Sequence, residues 1–281
     1  MGVKRNIAIA GKHRRKIVLD MHWNDVLNDQ PIVVFCHGYK GFKDWGCWDL
    51  VAQSFAKAGF CFVKFNFSYN GGTVEEPIDF PDLEAFGQNN FSKELDDLEV
   101  VIDWLMTATF PAEIPLNTSK IILIGHSRGG IVTIKAAEDK RIAKVLSWAG
   151  VSDFRRMLKS GEALEQWRKD GVMYVVNGRT KQKMPHYYQF YEDFEANETR
   201  LTIKNAVDQL HIPHCIIHGN ADESVPLSEG ERLHAWNSKS KFEIINGANH
   251  VFGGKHPWNE ESLPLALTEV VQKSISFIQE V

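Results

Sequence analysis

The chain has 281 residues, 43% of them hydrophobic and 24% charged, an ordinary globular composition that excludes a disordered, collagen-like or coiled-coil chain. Its formal charge is −4, from 32 basic and 36 acidic residues, with no dense Lys/Arg block, so neither nucleic acid nor an anionic membrane surface is expected as a partner. The longest apolar runs, such as Ile32–Cys36 and Ile121–Ile124, are too short to span a bilayer, so no membrane partner is expected. The apolar stretch after Lys4 and Arg5 stops at Lys12, short of the roughly 7–15 residues of a secretory signal. Cys36, Cys47, Cys61 and Cys215 show neither CxxC nor zinc-like spacing. Three of them sit in apolar runs, which suits buried free thiols and a cytoplasmic location.

In chain order, Asn6–Ala10 and Lys16–His22 read as two strands joined by a turn at Gly11-Lys12-His13. Ile32–Cys36 reads as a buried strand, Asp49–Ala58 as a helix stopped by Gly59, and Cys61–Phe65 as the next strand. Ser92–Thr107 is the clearest helix: Leu95, Leu98, Ile102 and Leu105 share one face, Ser92 is the expected N-cap, and Glu94 suits the first turn. Ile121–Ile124 is a strand, Gly129–Ala137 a helix, and Val145–Ala149, His214–His218 and Phe242–Ile245 are strands. A helix over about Leu265–Ile278 closes the chain. This alternation predicts an α/β fold with a mostly parallel sheet flanked by helices, whose ligands collect at the carboxyl ends of the strands.

Residues 151–204 break the pattern. Short helices at Phe154–Lys159 and Ala163–Lys169 are followed by Val172–Val176, an Asn177-Gly178 two-residue turn and a returning strand at Arg179–Lys183. This segment leaves a strand's carboxyl end and is expected to cap the site. It holds four of the six tyrosines, Tyr174, Tyr187, Tyr188 and Tyr191. With Trp167, Met173, Phe190 and Phe194 these form a candidate aromatic ceiling, although most such rings are expected to pack the cap onto the body. Trp167, Tyr174 and Tyr188 are candidate substrate contacts, with Lys40, Lys43 and Trp45 candidates for the opposite wall.

Gly125-His126-Ser127-Arg128-Gly129 follows the strand Ile121–Ile124 and opens a helix. A serine on such a strand–turn–helix corner has its hydroxyl lifted clear of the backbone, and glycines two positions either side let strand and helix approach. The hydroxyl needs a base, and the base an orienting acid. Asp222 follows the strand His214–His218 and His250 follows Phe242–Ile245, so both fall on the same rim as Ser127, in the order Ser, Asp, His. Glu223 is the rival acid. His37, His126, His218 and His256 are less well placed bases. After Ile32–Cys36 comes His37-Gly38-Tyr39, and the main-chain N–H groups of Tyr39 and Arg128 are the candidate oxyanion donors.

These four separated motifs, Gly125–Gly129, His37-Gly38-Tyr39, Asp222 and His250, together resemble the α/β-hydrolase superfamily over essentially the whole chain. The cap resembles that of bacterial cinnamoyl/feruloyl esterases and dienelactone-hydrolase-like enzymes, which insert a small subdomain after the sixth strand. The resemblance implies a single α/β-hydrolase domain over 1–281 with a cap insertion at about 151–204. It also implies a Ser127-His250-Asp222 serine hydrolase without metal or organic cofactor, acting on a small-molecule ester. Aryl or short-acyl esters are expected over long-chain lipids. An amide or peptide hydrolase or a thioesterase with the same residues stays open, as does a non-catalytic ligand-binding protein on this fold. A haloalkane dehalogenase is disfavoured, because its nucleophile would be a carboxylate where Ser127 stands.

Overall fold

The computed structural model describes residues 1–108, 114 and 116–280. The chain opens with β1 (Gly2–Ala10) and β2 (Lys16–Trp23), an antiparallel pair, followed by β3 (Gln30–Cys36), α1 (Trp48–Lys57) and β4 (Cys61–Asn66). Gly59 takes φ +92° just past α1, a conformation that favours glycine and turns the chain into β4. A loop carrying α2 (Leu83–Gly87) leads to α3 (Phe91–Thr107), β5 (Leu116–His126), α4 (Ile131–Glu138) and β6 (Ile142–Trp148). The cap follows, with α5 (Gly161–Asp170), β7 (Val172–Val176), β8 (Lys183–Tyr187), α6 (Gln189–Ala196), α7 (Glu198–Leu201) and α8 (Ile203–Asp208). Then come β9 (His214–Gly219), α9 (Leu227–Trp236), β10 (Lys241–Ile245) and α10 (Leu265–Gln279).

Among the described residues, eight strands form one sheet in the order β1-β2-β4-β3-β5-β6-β9-β10. β2 runs antiparallel to β4, and every pairing from β4 to β10 is parallel. The continuous apolar runs follow from this, because both faces of the sheet are covered. Side chains alternate across it: Ile32, Val34 and Cys36 join the core under α3, α4, α8 and α9, whereas Val33 and Phe35 join the core under α1 and α10. All four cysteines are free and buried, and burial pushes the Cys61 and Cys215 thiols up to about 12, so they act as small hydrophobes. Among the described residues, no helix is long and apolar enough to cross a membrane.

The N-cap of α3 differs from the expectation. The helix begins one residue earlier, at Phe91, whose ring stacks on Phe154 of the cap at 4.1 Å. Asn90 is therefore the cap: its side chain accepts from Lys93 N–H at 2.9 Å and donates to Gln189 Oε1 at 2.8 Å. The Ser92 hydroxyl is buried and has no hydrogen-bond partner among the described residues. Asn90→Ala is accordingly expected to lower stability by about 1–2 kcal/mol, while Ser92→Ala changes it by at most a few tenths. Urea midpoints at unchanged m-value check this, and an equal loss for the two variants would refute the assignment.

The cap hairpin also differs. Val176 pairs with Lys183, so the connection is the loop 177–182 and the returning strand is Lys183–Tyr187 rather than Arg179–Lys183. The reason is the Asn177 side chain, whose Oδ1 accepts from Arg179 N–H and Thr180 N–H and supports a wide turn in place of a tight one. Residues Phe154–Met157 form a single 3-10 turn. Phe154, Trp167, Phe190, Phe194 and Leu201 are continuous with the body's core, so these cap side chains hold the cap down.

Candidate functional site

Ser127 opens the turn after β5 with φ +59°, a left-handed conformation that strains a non-glycine residue. The corner closes because its neighbours are glycines. A Cβ on Gly125 would stand 2.0 Å from the Gly129 carbonyl oxygen, and one on Gly129 would stand 2.5 Å from that of Cys36. Gly38, just past β3, brings its loop against the serine: a Cβ there would stand 2.9 Å from the Ser127 Cβ.

Two backbone bonds knit the loops after β9 and β10 together, Asn220 N–H to Ile245 O at 3.2 Å and Ala221 N–H to Ala248 O at 3.1 Å. They carry Asp222 and His250 to the serine. His250 Nε2 lies 2.9 Å from Ser127 Oγ, and its Nδ1 lies 2.8 Å from Asp222 Oδ2. Asp222 Oδ1 accepts from Ser224 N–H at 2.9 Å and Val225 N–H at 2.8 Å. Burial opposes ionisation of this carboxyl, but the His218 ring nitrogen 3.5 Å away and hydrogen bonds from His250 and Val225 N–H outweigh it and hold Asp222 well below the usual carboxylate range. The bonding pattern assigns a proton to His250 Nδ1, which leaves Nε2 free to accept from the serine hydroxyl.

The rival groups are engaged elsewhere. His126 donates from Nε2 to the His250 carbonyl at 2.8 Å, and burial beside His250 pushes it down to about 3, so it stays neutral. It braces the backbone of His250. His218 bonds the Val225 carbonyl at 2.8 Å, beneath Asp222. His37 is buried against Gly38, and His256 accepts from Gly46 N–H at 2.9 Å. Glu223 is exposed.

Tyr39 and Arg128 border the space beside Ser127, on the turn after β3 and at the first residue past the serine. The Arg128 side chain is buried. Its Nη2 lies 2.7 Å from Glu94 Oε1 as an ion pair out of hydrogen-bond alignment, its Nε donates to Glu94 Oε2 at 3.3 Å, and its guanidinium stacks over Phe91. Burial pushes the Glu94 carboxyl up while Arg128 opposes the shift.

Two cavities meet at Ser127 and His250. One, of about 240 Å³, lies against Trp45 and Trp48 and reaches the cap at Asn177 and Arg179. The other, of about 300 Å³, runs along Val151, Arg156 and Met157 to Val225. Tyr39 and Lys40 border both.

Of the proposed wall residues, Lys40 and Trp45 line the first cavity. Trp167, Tyr174 and Tyr188 line neither, which corrects the expectation. Trp167 is buried in the cap seam and donates its indole N–H to His186 O at 2.8 Å. Tyr174 projects from the outside of the hairpin, 60% exposed, and Tyr188 stacks on Tyr191. Lys43 is buried, its ammonium on Asp20 at 2.9 Å and Asp44 at 2.5 Å. Asn177, Arg179, Arg156 and Met157 were not anticipated. The Asn-Gly pair signalled a turn, but its reach over the serine depends on how the hairpin docks.

Among the described residues, the one carboxylate–imidazole group with metal-ligand spacing is Asp20, His22 and Asp49. It does not fit a metal, because the Lys43 and Lys64 ammonium groups already sit on Asp20 and Arg5 sits on Asp49.

Solved structures share this architecture. Est1E from Butyrivibrio proteoclasticus, determined with ferulic acid bound, is 17% identical with a TM-score of 0.71, covering 97% of each chain. DcsB, determined with its substrate analogue, is 14% identical with a TM-score of 0.74, covering 99% of each chain. A dienelactone hydrolase from Anabaena variabilis is 19% identical with a TM-score of 0.63, covering 98% of this chain and 96% of its own. The fold is that of the α/β-hydrolases, a mostly parallel sheet flanked by helices. The model of the prolyl oligopeptidase family matches residues 48–263, and the chain is a hydrolase that belongs to that family.

Proposed function

We infer that the protein is a serine hydrolase of small or aryl carboxylic esters, with Ser127 as nucleophile, His250 as base and Asp222 as its orienting acid. The observation that carries this reading is the position of the His250 ring, 2.9 Å from the hydroxyl of Ser127 on one side and 2.8 Å from a carboxylate on the other. In the first half-reaction His250 Nε2 takes the Ser127 proton as Oγ attacks the ester carbonyl. The negative charge on the carbonyl oxygen is held by the N–H groups of Tyr39 and Arg128, each worth about 3–4 kcal/mol in such a role. His250 returns the proton to the leaving alkoxide, giving an alcohol and an acyl-Ser127 ester. In the second half His250 deprotonates water, which attacks the acyl carbon, and then gives that proton to Ser127 Oγ as the acyl–oxygen bond breaks, releasing the acid and the free serine. Asp222 stays ionised throughout and stabilises the imidazolium.

The modest cavities and the Trp45–Trp48 wall support aryl or short acyl groups over long chains, and the ferulic acid bound by Est1E carries an aryl ring. A peptide or amide hydrolase is the second reading, favoured by the family match.

The test is a fluorophosphonate probe alongside p-nitrophenyl acetate, butyrate and palmitate and a p-nitroanilide. The reading expects a covalent adduct on Ser127, loss of all turnover on labelling, and short esters faster than palmitate. An anilide cleaved faster than every ester would transfer the assignment to the peptidase reading. Absence of both adduct and turnover would leave a ligand-binding protein.

A further inference from the structure

The charges around the two cavities are of one sign. Lys40, Arg128, Arg156 and Arg179 line them, and among the described residues no Asp or Glu does. Three of the four cations are already answered. Arg128 is paired with Glu94 and Arg179 with Asp79, while Arg156 donates to the Ser224 carbonyl at 2.9 Å with Glu229 3.8 Å away. Lys40 differs: among the described residues, no carboxylate lies within ion-pair distance of it. Its ammonium stands 5.0 Å over the Tyr39 ring, and the residue is half-buried on the seam where the two cavities meet.

Turn geometry does not account for a lysine there. Lys40 has φ +55°, where glycine or asparagine would be less strained. Burial also lowers its pKa, so the cation has lost water without gaining a counter-charge. A single ammonium suits a singly charged, compact anion.

We propose that the substrate carries a free carboxylate near its scissile ester, and that Lys40 recognises it. This rests on the ester-hydrolase reading. It adds a specificity determinant: Lys40 pairs with a group that takes no part in bond making, so its contribution appears in substrate choice. Because Lys40 borders both cavities, the carboxylate can sit on the acyl or the alcohol side, and two probe pairs distinguish them. On the alcohol side the pair is para-carboxyphenyl acetate and its methyl ester. On the acyl side it is p-nitrophenyl hydrogen adipate and its methyl ester.

For the wild-type protein, kcat/KM for the acid of at least one pair is expected to exceed that for its capped partner by about tenfold, mostly through KM. In Lys40→Gln that ratio falls to near one, in Lys40→Glu it inverts, and in Lys40→Arg it is retained. Raising the salt concentration lowers the wild-type ratio. The ratio is internal to each variant, so a general loss of activity does not imitate the effect. A wild-type ratio at or below one in both pairs, or a ratio unchanged in Lys40→Gln and Lys40→Glu, overturns the proposal. If fluorophosphonate still labels Ser127 and neutral esters turn over, that failure touches Lys40 alone. If no ester turns over and no label attaches, the ester-hydrolase reading fails and this proposal with it.

Discussion

Ser127→Ala is expected to lower kcat for p-nitrophenyl acetate by about 10⁴- to 10⁶-fold while the protein stays folded. The chemical reason is that no neighbouring group can replace the hydroxyl. His126 is neutral and bound to a carbonyl, and Cys36 is buried with its thiol held well above its ordinary value. The structural reason is that alanine suffers no more than serine at φ +59°, so the corner keeps its shape. Only the bond to His250 is lost, worth about 1 kcal/mol at a partly solvated site. Steady-state kinetics and a thermal melt check both halves. Turnover within tenfold of the wild type would remove Ser127 from the chemistry.

Asp222→Asn is expected to cost about 10⁴-fold in kcat near neutral pH. The loss follows from the hydrogen bonds around the carboxylate. Oδ1 accepts from two backbone N–H groups, so an asparagine must place its oxygen there and turn its NH2 toward His250 Nδ1 and His218 Nε2. An NH2 facing Nδ1 favours the tautomer protonated on Nε2, which cannot accept the serine proton. Labelling by the fluorophosphonate should slow in parallel with hydrolysis. Near-normal rates would shift the acid's role to the exposed Glu223. The linked stability effect has a definite sign. The folded-state pKa of Asp222 is depressed, so its contribution is present above the ordinary carboxylate pKa near 4 and is lost as pH falls toward the depressed folded value.

The sheet was legible because its strands are covered on both faces. Ile32–Cys36 and Ile121–Ile124 could be placed from unbroken apolar runs alone, and the residues just past such runs mark the rim where Ser127, Asp222 and His250 lie. Local chemistry was harder to read where tertiary packing decides it. Ser92 and Asn90 are both good caps, and the burial of Phe91 against the cap selects the second. The helix α2 is one turn long and too short for periodicity, although Asp82 caps it through Ala85 N–H at 2.8 Å. Composition identified an aromatic cap without saying which rings face the serine. Most hold the cap to the body, and the reach over the site falls to polar Asn177 and Arg179. Lys40 and Lys43 look alike in the sequence, yet one borders the cavities and the other closes a buried ion cluster with Asp20.

The hairpin of β7 and β8 is fastened to the turn beside Ser127. His186 Nε2 accepts from the Tyr39 hydroxyl at 2.6 Å, and Met184 is buried in a small cluster with Phe42, Phe80 and Phe86. Lifting the hairpin therefore tugs on the same short stretch of backbone that borders the serine hydroxyl. Roof and floor are mechanically linked, so a motion that widened the mouth would at once loosen the peptide next to Ser127. If the Tyr39 N–H serves the oxyanion as proposed, an open form of this molecule would be a disarmed one.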